Sequence, residues 1–193
     1  CEDTRRTGLL LERLEIKALR MVSYHEGNEA ERARELAQRI ERGDTVTLVS
    51  DAGTPAISDP GYRLIRACID RDLEIEVLPG PSSIITALVA SGLPTHRFRF
   101  QGFLPRRTGE LERVLQSADT LVAFESPRRL PDSLAALAQL APDRPAAVCR
   151  ELTKLHEQIA RGSLGSLAAA MVDGTIPERG EFALVVGVSA GRP

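Results

Sequence analysis

Apolar residues along this chain alternate between two spacings, short β-branched runs and longer stretches of helical period. From Asn28 to Ile40, the residues Ala30, Ala33, Leu36, Ala37 and Ile40 fall on one side of a predicted helix, with Gly43 just past its end. Thr45–Val49 then predicts a strand, and Leu64, Ile65, Cys68 and Ile69 share one face of a following helix. Asp59 stands where that helix would take its N-cap, and Pro60 where it would take its first residue. Glu74–Val77 predicts a second strand, and Ile84, Ile85, Leu88 and Val89 a second helix that stops at Gly92. With a run near residues 20–24, the first half holds three strand-like segments, near 20–24, 45–49 and 74–78. Three strands make a thin sheet.

The second half continues the alternation. It predicts strands at 97–101, 120–124, 146–150, 158–161 and 182–188, and helices at 108–117, 130–140 and 163–172. Strands and helices in alternation point to an α/β fold, a sheet flanked by helices in each half. Ser91-Gly92-Leu93-Pro94-Thr95 is the strongest punctuation near mid-chain, which divides the chain into an N-terminal domain, 1–94, and a C-terminal domain, 95–193. Internal repeats and low-complexity tracts are not seen.

Two connections carry more than turn chemistry requires. Ser50-Asp51-Ala52-Gly53-Thr54-Pro55-Ala56-Ile57-Ser58-Asp59-Pro60-Gly61 links a strand-like run to a helix through small residues whose backbone can approach a ligand closely. Leu78-Pro79-Gly80-Pro81-Ser82-Ser83 does the same at the next crossover, and would set hydroxyls and free N–H groups at a helix N-terminus. Both lie at carboxyl ends of strands, where open α/β sheets hold their ligands.

Composition narrows the classes of partner. Hydrophobic residues make up 42% of the 193, enough for real cores. Aromatics are 4% with no Trp, so a base-stacking platform is not expected to dominate any RNA contact. A net charge of −2 excludes a globally basic nucleic-acid binder and requires any RNA contact to be a local patch. Cys1, Cys68 and Cys149, like His25, His96 and His156, are scattered without metal-ligand spacing, so neither a metal site nor a disulfide is expected. The absence of a membrane-length apolar run or a visible signal peptide gives a cytosolic expectation.

The two loop strings do not stand alone. With Ser23-Tyr24-His25-Glu26-Gly27-Asn28-Glu29, Gly102-Phe103-Leu104-Pro105-Arg106-Arg107, Phe124-Glu125-Ser126-Pro127-Arg128-Arg129, Arg150-Glu151-Leu152-Thr153-Lys154 and Gly180-Glu181-Phe182, the chain resembles the tetrapyrrole-methylase superfamily. Within it the chain is similar to the bacterial ribosomal RNA small-subunit methyltransferase I family, from about residue 2 to about residue 188. The resemblance implies a two-domain α/β fold. It also implies S-adenosylmethionine as cofactor, methylation of the 2′-hydroxyl of a cytidine in the decoding region of small-subunit ribosomal RNA, and pairing as a homodimer, with no DNA or membrane partner. That family opens with a strand and a Gly/Pro-rich loop. This sequence starts at Cys1-Glu2-Asp3, so the first strand of the first domain is expected to be missing from it.

On the same resemblance, the cofactor residues are Asp51, Ala52, Gly53, Thr54, Pro55, Ser82 and Ser83, with Phe124, Glu151 and Thr153 from the second half, converging on one cleft. Methyl transfer needs in-line alignment of acceptor oxygen, methyl carbon and sulfur. Glu125, Glu151 and His25 are candidates for a base, each also explicable as a hydrogen-bonding brace, and the catalytic residue stays unknown. The lysine-based machinery of other 2′-O-methyltransferases is not readable, since Lys17 and Lys154 are the only lysines and lie in different halves. RNA contact is expected at Arg106, Arg107, Arg128 and Arg129, whose forks suit phosphate oxygens. Two other readings stay open, a same-fold enzyme acting on a small molecule such as a tetrapyrrole, and a non-catalytic ligand- or RNA-binding fragment.

Overall fold

The computed structural model describes residues 1–188, and its contacts gather into two units, residues 1–82 and the chain from Ser83 onward. The first unit is built on three helices, α1 (Thr4–Arg13), α2 (Glu29–Glu41) and α3 (Tyr62–Ile69). The expected face of α2 is the one that packs: Ala33, Leu36 and Ala37 meet Leu64 and Cys68 of α3 around the buried Tyr24. Helix α1 has no counterpart among the predicted elements, because Leu9, Leu10 and Leu14 are half-exposed and mark no buried face. Its signal is local instead, the Asp3 carboxylate accepting the Arg5 N–H at 2.8 Å.

The three strand-like runs of this unit do not become strands; among the described residues of 1–82 no ladder forms. Val46 and Leu48 do pack against the helices, so the β-branched run reports burial correctly. A strand also needs a neighbour offering N–H and C=O groups along its length, and alternation in one segment carries no information about that partner. The start of α3 also differs from the expectation. Gly61, not Asp59, occupies the N-cap, and Pro60 lies before it. A Cβ at Gly61 would come within 3.0–3.1 Å of Ala56 and Leu48, which explains the glycine there.

The second unit carries one five-stranded sheet. In chain order its elements are α4 (Ser83–Ser91), β1 (Phe98–Phe103), α5 (Thr108–Leu115), β2 (Thr120–Glu125), α6 (Leu130–Leu140), β3 (Pro145–Arg150), β4 (Gln158–Ser163), α7 (Leu164–Val172) and β5 (Phe182–Val186). The strand order is β1-β2-β5-β3-β4, with β1 and β2 parallel and β5 antiparallel to both β2 and β3. Side chains alternate between two covered faces. Leu121, Ala123, Val148, Phe182, Leu184 and Val186 pack under α5, α6 and α7, while Val122, Cys149, Ala183 and Val185 pack against Ile84, Ala87 and Leu88 of α4.

Helix α4 thus belongs to the second unit by its contacts. The Arg161 Nε donates to the Ala90 carbonyl near its end at 2.9 Å, and the Cys149 thiol lies 3.9 Å from the Ala87 carbonyl. The units therefore divide at Ser82/Ser83, ahead of the Ser91–Thr95 punctuation. Among the described residues no helix is long and apolar enough to cross a membrane.

Candidate functional site

In the first unit the two loop strings meet. The Thr54 hydroxyl donates to the Pro81 carbonyl at 3.2 Å, which ties Asp51–Pro55 to Pro79–Ser82. Ala52 and Gly53 are exposed, and Gly53 takes a left-handed φ of +74°, where an added Cβ would find only the Pro81 carbonyl within 4 Å. Ala56 and Ser58 also sit at positive φ, 70° and 60°, a conformation that costs an L-residue about 1–2 kcal/mol each. Such strain persists only where surrounding structure imposes it, and it collects at ligand-binding loops. The Ser50 hydroxyl lies 3.3 Å from the Ala52 and Gly53 carbonyls, while Asp51 accepts the Asp3 N–H and pairs with Arg6 at 3.5 Å.

The Ser23–Glu29 string has a structural task beside this loop. Glu29 Oε1 accepts the N–H groups of Gly61 and Arg63 at 3.0 and 3.2 Å, so a carboxylate from α2 caps the start of α3. The buried Tyr24 hydroxyl donates to the same oxygen at 3.2 Å. Burial and the Glu29 charge together push the Tyr24 hydroxyl well above its ordinary pKa. His25 is exposed, and its backbone N–H donates to Asn28 Oδ1 at 2.9 Å.

In the second unit the remaining residues cluster at one end of the sheet. Register places Glu125 and Arg150 on either side of Phe182, so the loops that leave β2 and β3 emerge at the same end. The loop after β1 joins them there, since Phe103 lies level with Phe124. This is the carboxyl end of three strands, and Phe124, Glu151 and Thr153 all lie at it. Ser83 is the first residue of α4, and Ser82 lies in the first unit.

The loop after β3 is tightly held and strained. Glu151 and Thr153 both take left-handed φ, 50° and 65°. The Glu151 Oε1 accepts the Glu181 N–H at 2.9 Å and the Lys154 ammonium at 3.0 Å, and Lys154 reaches Glu181 as well at 2.9 Å. These bonds, Lys154 first, hold the Glu151 carboxyl below its ordinary range. Gly180 completes the contact: a Cβ there would lie 2.7–2.8 Å from Glu151 side-chain atoms. Arg150, buried, donates to the Arg179 carbonyl at 2.6 Å and the His156 carbonyl at 3.0 Å.

The four arginines separate into two kinds. Arg106, Arg107 and Arg128 are exposed and make no side-chain hydrogen bond or ion pair among the described residues. Arg129 is committed inward. Its Nη2 pairs with Glu125 Oε2 at 3.1 Å and donates to the Leu104 carbonyl at 2.7 Å, linking the loop after β2 to the loop after β1. The Glu125 carboxylate is fully buried and also accepts the Ser126 N–H and the Ser133 hydroxyl, each at 2.8 Å. With its oxygens occupied in this way, Glu125 braces the loops. The motif alone could not separate Arg129 from Arg128, because the difference lies in which carbonyl and carboxylate the fold sets beside it. Among the described residues no group of three or more His, Cys, Asp or Glu is placed to hold a metal ion.

Comparison with known proteins fits this layout. Residues 2–168 match the family of Tetrapyrrole (Corrin/Porphyrin) Methylases. Ribosomal RNA small subunit methyltransferase I of Mycobacterium bovis is 49% identical over 195 residues, 98% of this chain and 67% of that protein. The protein of the same name from Hydrogenobaculum is 47% identical over 167 residues, 85% of this chain and 73% of its own length. Among solved structures, uroporphyrin-III C-methyl transferase from Thermus thermophilus, complexed with S-adenyl homocysteine, aligns with a TM-score of 0.55 at 22% identity. It covers 82% of this chain and 73% of that one. A family match over most of the chain, joined to near-half identity with these relatives, establishes that the chain belongs to the tetrapyrrole methylase family, on its branch of ribosomal RNA small subunit methyltransferases I.

Proposed function

We propose that this protein is an S-adenosylmethionine-dependent methyltransferase that methylates the 2′-hydroxyl of a cytidine in the decoding region of small-subunit ribosomal RNA. The observation that carries the reading is the 49% identity, across 98% of the chain, with a ribosomal RNA small subunit methyltransferase I. Arg106, Arg107 and Arg128, exposed and without internal partners among the described residues, are available to the phosphates of such a substrate. The protein is assigned to the cytosol, with the small ribosomal subunit as its partner and neither DNA nor membrane as a ligand.

Residues of the described loops fit the cofactor. The exposed Ala52 and Gly53, followed by Thr54 and Pro55 and tied by Thr54 to Pro81 beside Ser82, offer backbone groups at a close approach; Ser83 opens α4, and Glu151 and Thr153 sit on a strained loop at a strand end. Phe124 supplies an apolar ring at the same end of the sheet as Glu151 and Thr153. When bound, S-adenosylmethionine supplies an electrophilic methyl group on a positively charged sulfur. What the chain contributes is alignment and the exclusion of competing water. Arg106, Arg107 and Arg128 hold backbone phosphates, and Arg129 holds the loop that presents Arg106 and Arg107. No residue is assigned as base.

Transfer of labelled methyl to unmodified small ribosomal subunits, with a free porphyrinogen in parallel, tests the reading. Labelled RNA and unlabelled porphyrinogen are expected; the reverse would replace the proposal with a small-molecule activity. Activity is expected to survive exhaustive chelation, because displacement at a sulfonium needs no Lewis acid. We further propose a homodimer with an interface above about 1,000 Å². Light scattering that finds only monomer at micromolar concentration would dismiss it.

A further inference from the structure

We infer that Phe103 is a stacking surface for one unpaired nucleobase of the RNA, on the same loop as arginines that hold its phosphates. The inference rests on the proposed RNA substrate and adds a residue to it. Strand β1 runs level with β2 at Phe98, Arg99 and Phe100, opposite Thr120, Leu121 and Val122. The next pair is Phe103 with Phe124, so three residues of β1 span two of β2. This is a β-bulge, and Gly102 at φ +72° supplies the left-handed residue that lets it form.

The bulge decides where Phe103 points. In regular alternation residue 103 would take the opposite face from Phe100. The extra residue returns it to the face of Phe100 and Phe124, where the three rings meet edge to face. The Phe100 and Phe124 centroids are 5.0 Å apart, and those of Phe103 and Phe124 6.1 Å. Phe100 and Phe124 are partly buried, whereas Phe103 is left 54% exposed. Burial is therefore not what the bulge secures for this ring. Its neighbours on the loop are the unpartnered Arg106 and Arg107, and the Leu104 carbonyl between them is held by Arg129. A rigid aromatic beside free guanidiniums matches the two faces of single-stranded RNA, a flat base and an anionic backbone. It does not match a second protein surface, for which these guanidiniums would need facing carboxylates. One ring of this kind is compatible with an aromatic content of 4%.

The chain has no tryptophan, so a Phe103→Trp variant reports from this position alone. Titration with an oligocytidylate, and separately with inorganic polyphosphate as an anion without bases, is the direct test, with binding measured independently by filter retention. Quenching by the oligonucleotide and none by bound polyphosphate is expected. Phe103→Leu should weaken RNA binding at least about fivefold without changing its salt slope, and Phe103→Tyr should restore it. Oligonucleotide that binds without quenching, or Phe103→Leu binding within twofold of the parent, overturns the inference and leaves the RNA substrate standing. Failure of both oligonucleotide and small subunits to bind overturns the substrate reading and the inference with it. A concentration-dependent emission shift without RNA assigns the ring to contact between copies and also overturns it.

Discussion

Replacing Arg129 by Ala removes the only cation paired with the Glu125 carboxylate among the described residues. At 3.1 Å the gross attraction is about 5 kcal/mol for an effective dielectric near 20, most of it offset by the desolvation of both ions. The cost of the variant is set by what stays behind. The carboxylate has no exposed surface, while Arg129 is 29% exposed, so water can reach only one side of the pair. Orphaning one partner of a buried pair costs about 3–5 kcal/mol, and the surviving bonds from Ser126 and Ser133 reduce this. An expected loss of ~2–4 kcal/mol follows, measured by urea denaturation followed by circular dichroism. Arg106→Ala, an exposed and unpaired site, should stay within about 0.5 kcal/mol. Glu125→Gln combined with Arg129→Ala removes the buried charge as well and should lose about 1–2 kcal/mol less than the sum of the single changes. A stability for Arg129→Ala equal to that of Arg106→Ala, or strict additivity in the pair, would refute the bracing role and return Arg129 to the surface arginines.

Gly53→Val places a β-branched residue at φ +74°, a strain of about 1–2 kcal/mol, and should abolish S-adenosylmethionine binding in calorimetry; unchanged affinity would remove this loop from the site. Gly180→Ala drives a Cβ to within 2.7–2.8 Å of Glu151, so both melting temperature and cofactor affinity should fall, and a variant equal to the parent in both would dismiss the contact. Glu151 is held below its ordinary value of 4.5, so its contribution to stability is present above that value and lost as pH falls through the depressed one. Glu151→Gln should therefore flatten the acid limb of the stability profile below about pH 4.5 and leave the slope between pH 7 and 9 as it was; an unaltered acid limb would count against it.

The second half was legible because its signals are period-two runs of Val, Leu and Ala that end up buried on both faces, as in Leu121–Ala123 and Phe182–Val186. The helices at 130–140 and 164–172 followed from the same contrast of period. In the first half the pattern was equally clear but answered a different question. Val46 and Leu48 advertise an apolar face without saying whether a neighbouring backbone completes a ladder. The loops were visible through small residues and Pro-Gly pairs, whereas their joining by Thr54 and Pro81 was not. The partners of Arg129, Glu125 and Glu29 were not legible for one reason: each acts on a backbone group 25 to 34 residues away or on a buried neighbour, and spacing along the chain cannot reveal that.

The strand order has a consequence for synthesis. Strand β5 is made after the other four described strands yet lies between β2 and β3, so neither can complete its pairing until residues 182–186 have left the ribosome. From the end of β4 at Ser163 to the start of β5 at Phe182 is 19 residues, about one to four seconds of elongation. For that interval the nascent chain holds β1–β2 and β3–β4 as two separate pairs, each with an apolar edge exposed to other chains. A stall or a stop codon before residue 182 would leave those edges permanently unfilled, making such products prone to aggregation although most of the sheet has been synthesised.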